Sequence, residues 1–246
     1  SGNSGSSMGP HLHFELRDNR TQRRYNLVHE GIIRPADHTP PRILRLHYIE
    51  VDTVRGVPVR SPGESYAVVR TTAGSYRLTR SEALPVGRNG YFVVEASDRR
   101  DGVHNTFGIW RAALAVDGQP RFEYRMDGFT YEQARCCDAV SCYPLQLFSR
   151  NECIRLARLQ GAPGEFYPTL VDRGVLRVDA GAQHTVRIEV EDDSGNRSHL
   201  EFTIRGRAES FRAAADTTAV VARRDRATLL TIPGEVMALI PGGALY

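Results

Sequence analysis

Apolar residues that recur at every second position, on both sides of short turn sequences, constrain the fold of this chain most. They occupy alternate positions over 110–116 and 122–126, with Asp117-Gly118 between the two stretches. They do so again over 186–190 and 200–204, on either side of the turn sequence 193–196. A period of two places these side chains on one face of a strand, and Asp-Gly is a preferred hairpin turn. The sequence therefore predicts two β-hairpins and an all-β fold.

The segment 41–206 contains both hairpins and several further short strands, of which the first is expected at 43–51. Between the hairpins, 145–159 has helix-like apolar spacing, and Gly161 is placed to end a helix. We expect an immunoglobulin-like β-sandwich of two sheets with a short helical or irregular insertion. The insertion would account for a length above the roughly 100 residues usual for such domains.

Prolines mark a boundary before this segment. Pro35, Pro40 and Pro41 lie close together, and neither a helix interior nor a central strand accepts proline. We therefore predict that 35–40 is a linker and that 1–34 is the end of a preceding domain. After the sandwich, an Ala- and Arg-rich stretch leads into apolar runs at 219–222, 229–232 and 236–240. The region 207–246 is predicted to be a linker and the start of a further β domain.

Charge and hydropathy exclude two classes of partner. All 32 basic residues are arginines, they are scattered, and the formal net charge is only +3. A nucleic-acid groove needs clustered basic residues, so we expect no nucleic-acid partner. No apolar run approaches the roughly 20 residues of a membrane-spanning helix, so we expect no membrane-spanning segment.

Four cysteines, Cys136, Cys137, Cys142 and Cys153, lie in one short window without the paired C-x2-C spacing of a structural zinc site. Adjacent cysteines rarely bond each other, because the bridge geometry would be strained. We therefore predict a disulfide between Cys153 and one of the other three, with reduced packing cysteines as the alternative. A disulfide would indicate an oxidising compartment.

The first sixteen residues combine a Gly- and Ser-rich loop with a histidine pair. Over 11–16 polar and apolar residues alternate, so that His11, His13 and Glu15 share one face of a predicted strand. The opposite face is expected to lie in a core; it consists of Leu12, Phe14 and Leu16. Two histidines in this relation can place a zinc ligand and a base beside the same water molecule.

The segment SGNSGSSMGPHLHFELR resembles the last motif of the lysostaphin-type (LytM-like) zinc metallopeptidases, which cut peptide cross-bridges in bacterial peptidoglycan. The resemblance covers about the first 30 residues, and Met8 departs from the small hydroxyl residue expected at its position. The residues that carry it are Gly2, Ser4, Gly5, Ser7, Gly9, Pro10, His11, His13, Phe14 and Glu15.

The resemblance implies that His13 binds Zn2+ and that His11 assists catalysis. Zinc polarises the scissile carbonyl and lowers the pKa of the attacking water. The remaining ligands of this family come from an upstream His-x3-Asp motif, and only ten residues precede His11. We therefore expect the chain to be part of a longer zinc metalloendopeptidase and to be inactive by itself. Glu15 is expected to be a structural or outer-shell group.

Residues 41–206 resemble, more loosely, an immunoglobulin-like extension that follows this peptidase domain in envelope proteins of some Gram-negative bacteria. The entry sequence 37–41 and the turn 193–196 carry this resemblance. It implies a periplasmic or secreted protein of the cell envelope, with peptidoglycan peptide as substrate and an envelope protein as a further partner. The alternative is a non-catalytic envelope protein that combines a degenerate peptidase domain with an immunoglobulin-like binding or scaffold module.

The other polar residues are not expected to form a site. Six further histidines lack ligand spacing and are predicted at surface or core positions: His29, His38, His47, His104, His184 and His199. The adjacent carboxylates of Asp192 and Asp193 suggest calcium ligands only weakly, and a solvated hairpin turn is the favoured interpretation.

Overall fold

The structure is a computed structural model that describes residues 14–54, 57–134, 136, 139–159, 162–212, 228–232 and 236–240. Within these ranges the fold is all-β, as predicted. The helices are α1 (Tyr131–Ala134) and α2 (Tyr143–Ser149), with 3₁₀ turns at Gly164–Phe166 and Asp172–Gly174. The strands are β1 (Arg24–Tyr25), β2 (Arg42–Val54), β3 (Val57–Arg60), β4 (Glu64–Thr72), β5 (Ser75–Leu78), β6 (Leu84–Val86), β7 (Asn89–Ser97), β8 (Arg111–Val116), β9 (Gln119–Arg125), β10 (Gly128–Phe129), β11 (Glu152–Arg155), β12 (Thr169–Leu170), β13 (Leu176–Arg177), β14 (Gln183–Glu191), β15 (Arg197–Gly206), β16 (Thr228–Ile232) and β17 (Val236–Ile240).

Both predicted hairpins are present. Strands β8 and β9 pair antiparallel around Asp117 and Gly118, whose φ angles are 50° and 76°. Strands β14 and β15 pair antiparallel along their full length. Two consecutive positive φ angles are what a tight hairpin turn requires, and Asp-Gly accepts them at little cost. The local sequence therefore sets these two hairpins.

A continuous curled sheet encloses the core, in the order β11-β7-β2-β4-β5-β15-β14-β8-β9-β12. Strand β4 joins its two layers, because its first half pairs with β2 and its second half pairs with β5. The expected two-layer arrangement is present, but the layers are one sheet through β4. Strand β15 pairs in parallel with β5 and β6 and antiparallel with β14.

Large aromatic side chains fill the space between the layers. Phe92 of β7 is fully buried, and its ring meets that of Phe202 of β15 edge to face, with centroids 5.3 Å apart. Tyr48 of β2 is the cross-strand neighbour of Phe92 within the same layer, and their ring centroids lie 5.2 Å apart. Edge-to-face packing adds to the free energy gained by burying aromatic surface. The contact of Phe92 with Phe202 joins the two layers, and buried aliphatic side chains surround it in the core.

The predicted helix over 145–159 is partly wrong. Helix α2 ends before Arg150, which has a left-handed φ of 61°, and strand β11 follows and pairs with β7. The left-handed residue turns the chain out of the helix, and pairing with an available edge of the sheet then decides the conformation of β11. Gly161, which was expected to end the helix, lies outside the described residues.

The predicted disulfide at Cys153 is not formed. Cys136, Cys142 and Cys153 have free thiols, and Cys142 and Cys153 are buried. Both pack in a small apolar cluster beside the main core, together with Ile49, Tyr91 and Val93. The alternative of reduced packing cysteines therefore describes these three residues, while Cys137 lies outside the described residues.

The N-terminal segment 14–34 is attached to the sandwich. Strand β1 pairs with β10, and the Arg24 guanidinium lies 3.7 Å from the Tyr131 ring centroid. The His29 ring stacks on Trp110 with centroids 4.4 Å apart. The predicted apolar core face is wrong where the structure describes it, because Phe14 and Leu16 are 60% and 37% exposed. Alternation in the sequence indicates two different faces but does not say which neighbour covers them.

The proline-rich segment 35–40 is anchored rather than free. The Asp37 side chain is buried, and the Thr39 hydroxyl donates to Asp101 at 2.5 Å. The His38 backbone N–H also donates to Asp101, at 3.2 Å. Although its composition is that of a linker, the segment therefore lies against a loop of the sandwich.

Two remaining expectations concern the C-terminal region and membranes. Strands β16 and β17 form an antiparallel pair, which confirms strands in the apolar runs at 229–232 and 236–240. The run at 219–222 lies outside the described residues. Among the residues that the structure describes, no helix has the length and apolarity needed to span a membrane.

Candidate functional site

The predicted zinc ligand His13 and the predicted catalytic residue His11 lie outside the described residues. Their neighbour Glu15 is described. It accepts hydrogen bonds from Arg17 and from Arg24, the latter at 2.9 Å. The hydrogen bond from Arg17, together with that from Arg24, holds the pKa of the Glu15 carboxyl below its ordinary value. The Glu15 carboxylate thus binds two arginines, an arrangement that suits the structural role predicted for it.

Three buried aspartates form the most distinctive polar group of the described residues. Asp37 precedes β2, Asp98 directly follows β7, and Asp192 directly follows β14. Each offers a carboxylate oxygen, and these three oxygens lie within 4.8 Å of one another. Relative exposure is 8% for Asp37, 1% for Asp98 and 0% for Asp192. We refer to these residues as the aspartate cluster.

Hydrogen bonds from the hairpin turn fix Asp192. Its Oδ1 accepts from the backbone N–H groups of Ser194 and Asn196, each at 2.9 Å, and its Oδ2 accepts from Asn196 Nδ2 at 2.8 Å. The same amide nitrogen donates to the Asp37 carbonyl oxygen at 3.3 Å. Asn196 therefore connects the segment before β2 to the β14–β15 turn.

The other two aspartates carry oxygens that lack partners. Asp37 Oδ2 and Asp98 Oδ1 are buried and make no hydrogen bond. Throughout the part of the chain that the structure describes, no basic side chain forms an ion pair with the cluster. Asp193 differs from its neighbour Asp192, because both of its oxygens accept from Arg100, at 2.9 and 2.8 Å. A buried carboxylate without a partner is costly, so this arrangement calls for a compensating charge or a proton.

Burial raises the pKa of Asp98 to about 7, and the nearby Asp192 carboxylate acts in the same direction. Burial also raises the pKa of Asp192, although hydrogen bonds from Asn196 oppose this effect. Desolvation and a like charge are the two environmental effects that disfavour an ionised carboxylate. Near neutral pH, a proton or a cation that neutralises the cluster would therefore stabilise the folded chain.

The preference for a solvated turn at Asp192 and Asp193 is wrong for Asp192. The hairpin itself was predicted, but the carboxylate of Asp192 points into the protein and is fully buried. Sequence reasoning missed Asp37 and Asp98, which lie far from Asp192 in the chain. The only local signal was the acidic turn followed by Asn196, a residue type that fixes such turns through its side chain.

A second buried group consists of His47, Glu95 and Cys153, whose potential ligand atoms also lie within 4.8 Å of one another. Strand pairing places Cys153 opposite Glu95. Glu95 accepts from Asn151 Nδ2 at 2.6 Å, and Arg45 Nε lies 3.6 Å from its other oxygen. Unlike the aspartate cluster, this group already contains a basic neighbour for its carboxylate.

The titration behaviour of this second group is that of a packed interior. Burial lowers the pKa of His47 despite the attraction of Glu95, and burial raises the pKa of the Cys153 thiol to about 11. A reactive cysteine needs a depressed pKa and access to solvent, and Cys153 has neither. The arrangement therefore favours a neutral imidazole beside a protonated thiol, which stabilise the contact of β2, β7 and β11.

Comparisons of the chain with protein-family models, with curated proteins and with solved structures find no match. The function is therefore argued from the residues and their geometry.

Proposed function

We propose that this chain is part of a zinc metalloendopeptidase of the bacterial cell envelope that hydrolyses peptide cross-bridges of peptidoglycan. The observation that carries the proposal is the pair His11 and His13 within its Gly- and Ser-rich loop. In this assignment His13 is a zinc ligand and His11 assists the attack of water. Zinc supplies the Lewis acid that polarises the peptide carbonyl. Glu15 is held by Arg17 and Arg24 and serves to fix the segment that follows the histidines.

The attachment of segment 14–34 supports a positioning role for the sandwich. Arg17 forms a β-bridge with Arg24, and Arg24 belongs to the strand that pairs with β10. Arg17 is four positions after His13 in the sequence, and four residues of extended chain span at most ~14 Å. The sandwich would therefore stand beside the catalytic histidines and help to orient the enzyme on its polymeric substrate.

The described part of the sandwich supports a non-catalytic role for this module. Its two clusters of potential catalytic or metal-binding residues within the described ranges are both buried. Substrate hydrolysis needs groups that the substrate can reach. In this proposal chemistry takes place at the histidine pair, and the sandwich supplies support and contacts with the envelope.

The test uses the longer protein that includes the residues encoded before Ser1. We expect bound zinc and release of soluble fragments from purified peptidoglycan. His13→Ala should lose zinc and activity, whereas His11→Ala should keep zinc and lose turnover. The control is His104→Ala, a change at an exposed histidine of the sandwich, which should keep both.

Unchanged cleavage by the His11→Ala protein would overturn the assignment of the histidine pair. A wild-type protein that binds peptidoglycan but neither retains zinc nor releases fragments would instead support the rival function, a non-catalytic envelope module.

A further inference from the structure

We propose that Asp37, Asp98 and Asp192 form a binding site for a divalent hard cation of the calcium class, which fixes the segment before the sandwich to two of its loops. This site is separate from the histidine pair and does not depend on the peptidase assignment.

The donor atoms determine the class of cation. All three potential ligands of the aspartate cluster are carboxylate oxygens. Calcium and magnesium prefer oxygen ligands, whereas zinc sites are built mainly from nitrogen and sulfur. A calcium ion that lies about 2.4 Å from each of two oxygens can bridge a separation of up to about 4.8 Å. The oxygens of the cluster lie within 4.8 Å of one another, so a single point lies within about 2.8 Å of all three, close to the roughly 2.3–2.6 Å of calcium–oxygen contacts.

Two buried carboxylate oxygens without partners also favour an ion at the cluster. Asp98 Oδ1 and Asp37 Oδ2 make no hydrogen bond although both residues are more than nine-tenths buried. Buried polar atoms are almost always paired, and an unpaired one calls for a proton, a water molecule or an ion. These atoms belong to two separate segments of the chain, and both residues contribute to the cluster. A cation held by the cluster would neutralise both carboxylates.

The surrounding charges leave the cluster uncompensated. Asp193 is paired with Arg100 at 2.8 Å, and Asp101 is paired with His38 at 3.0 Å. Asp193 adds to the negative potential at Asp98, as do Asp37 and Asp192. Arg100 and His38 are thus engaged by other carboxylates, and a divalent cation would supply the charge that the three aspartates lack.

The positions of the three ligands indicate what the cation does. Asp37 lies in the segment before β2, Asp98 follows β7, and Asp192 begins the β14–β15 turn. Loops move relative to one another more freely than paired strands do, and a shared ion restricts that motion. Cation binding would therefore hold segment 35–40, and the N-terminal segment before it, in one orientation on the sandwich.

A proton on Asp98 is the competing way to relieve the repulsion. Protons and cations compete for the same carboxylate oxygens, so the two alternatives separate at alkaline pH, where carboxylates are ionised and free to bind a cation.

The experiment titrates CaCl2 into the metal-stripped chain by calorimetry above neutral pH and records thermal unfolding with calcium, with magnesium and with a chelator. We expect saturable binding of one calcium ion per chain, a higher melting temperature, and reversal by the chelator. Asp98→Asn should weaken binding by more than about 100-fold, since loss of an outer-shell partner alone costs about 10- to 100-fold. The matched control is Asp193→Asn, which removes a neighbouring acidic group and should keep the calcium-dependent shift in melting temperature.

Absence of calcium binding by the folded wild-type chain would overturn the proposal, as would equal calcium affinity of the wild-type and Asp98→Asn proteins. Preference for zinc over calcium would overturn the assigned class of cation. If Asp98→Asn does not fold, Asp37→Asn gives the same test at a residue outside the strands. Zinc content and peptidoglycan cleavage are measured separately, so failure here leaves the peptidase proposal standing.

Discussion

In the absence of divalent cations, Asp98 should make the folded protein less stable as the pH rises from about 4 to about 7. Its pKa is about 7 in the folded chain, against an ordinary value of 3.8. Between these values the folded state holds a proton that the unfolded chain has released. Under this condition the free energy of unfolding falls with increasing pH, and above about pH 7 the contribution of Asp98 becomes constant.

The size of this effect follows from the same two values. Each pH unit between 3.8 and about 7 costs about 1.4 kcal/mol, so the full loss is about 4 kcal/mol as an order of magnitude. Asp98 is 1% exposed, so solvent screens this cost only slightly. A loss of this size is a large part of the total stability of a typical domain.

The assay is urea unfolding with a chelator, followed across this pH range for the wild-type and Asp98→Asn proteins. The asparagine cannot ionise, so the difference between the two stability curves isolates Asp98 from other titrating groups. We expect Asp98→Asn to lose most of the decline in stability with pH, and Asp193→Asn to keep it. Parallel pH curves for wild-type and Asp98→Asn would refute the reasoning, as would a wild-type protein whose Asp98 titrates near 3.8.

Three further predictions concern the attachment of the N-terminal segment, the cysteines and the core. A Cβ at Gly128 would overlap the Arg24 carbonyl oxygen, so Gly128→Ala should separate β1 from β10. The fluorescence of the single tryptophan should then change, because its ring stacks on a residue of the N-terminal segment. Gly118→Ala meets no atom within 4 Å and should only lower stability by roughly 1–2 kcal/mol, and equal tryptophan spectra for both variants would contradict this. Alkylation of the folded chain followed by peptide mapping should leave Cys153 unmodified until the chain is denatured, when a free thiol appears; a disulfide-linked peptide containing Cys153 would contradict the structure. Phe92→Ala should lower the free energy of unfolding by about 3–5 kcal/mol in a urea titration, and a loss below about 1 kcal/mol would mean that the layers do not meet at this ring.

The candidate sites differ in how far the sequence reveals them. The histidine pair is a local motif, so its residues can be assigned a chemistry from their neighbours alone. The aspartate cluster has no such motif, because Asp37, Asp98 and Asp192 come from three separate segments. Only the antiparallel pairing of β2 with β7, and the turn that follows β14, bring their carboxylates together.

The two hairpins follow from local sequence signals. Alternating apolar residues select one face of a strand, and Asp117-Gly118 accepts the backbone angles of a tight turn, so both signals act between near neighbours in the chain. The same local information misassigned β11. A short apolar run has no preference strong enough to resist pairing with an open sheet edge.

Burial of the polar groups depends on the packing of segments that are distant in the chain. Asp192 and Asp193 are adjacent and chemically identical, yet one enters the aspartate cluster and the other pairs with Arg100. Likewise, Phe14 and Leu16 alternate as core residues do but are exposed. The physical reason is that burial depends on which distant segments cover a side chain, whereas alternation fixes only its direction from the backbone.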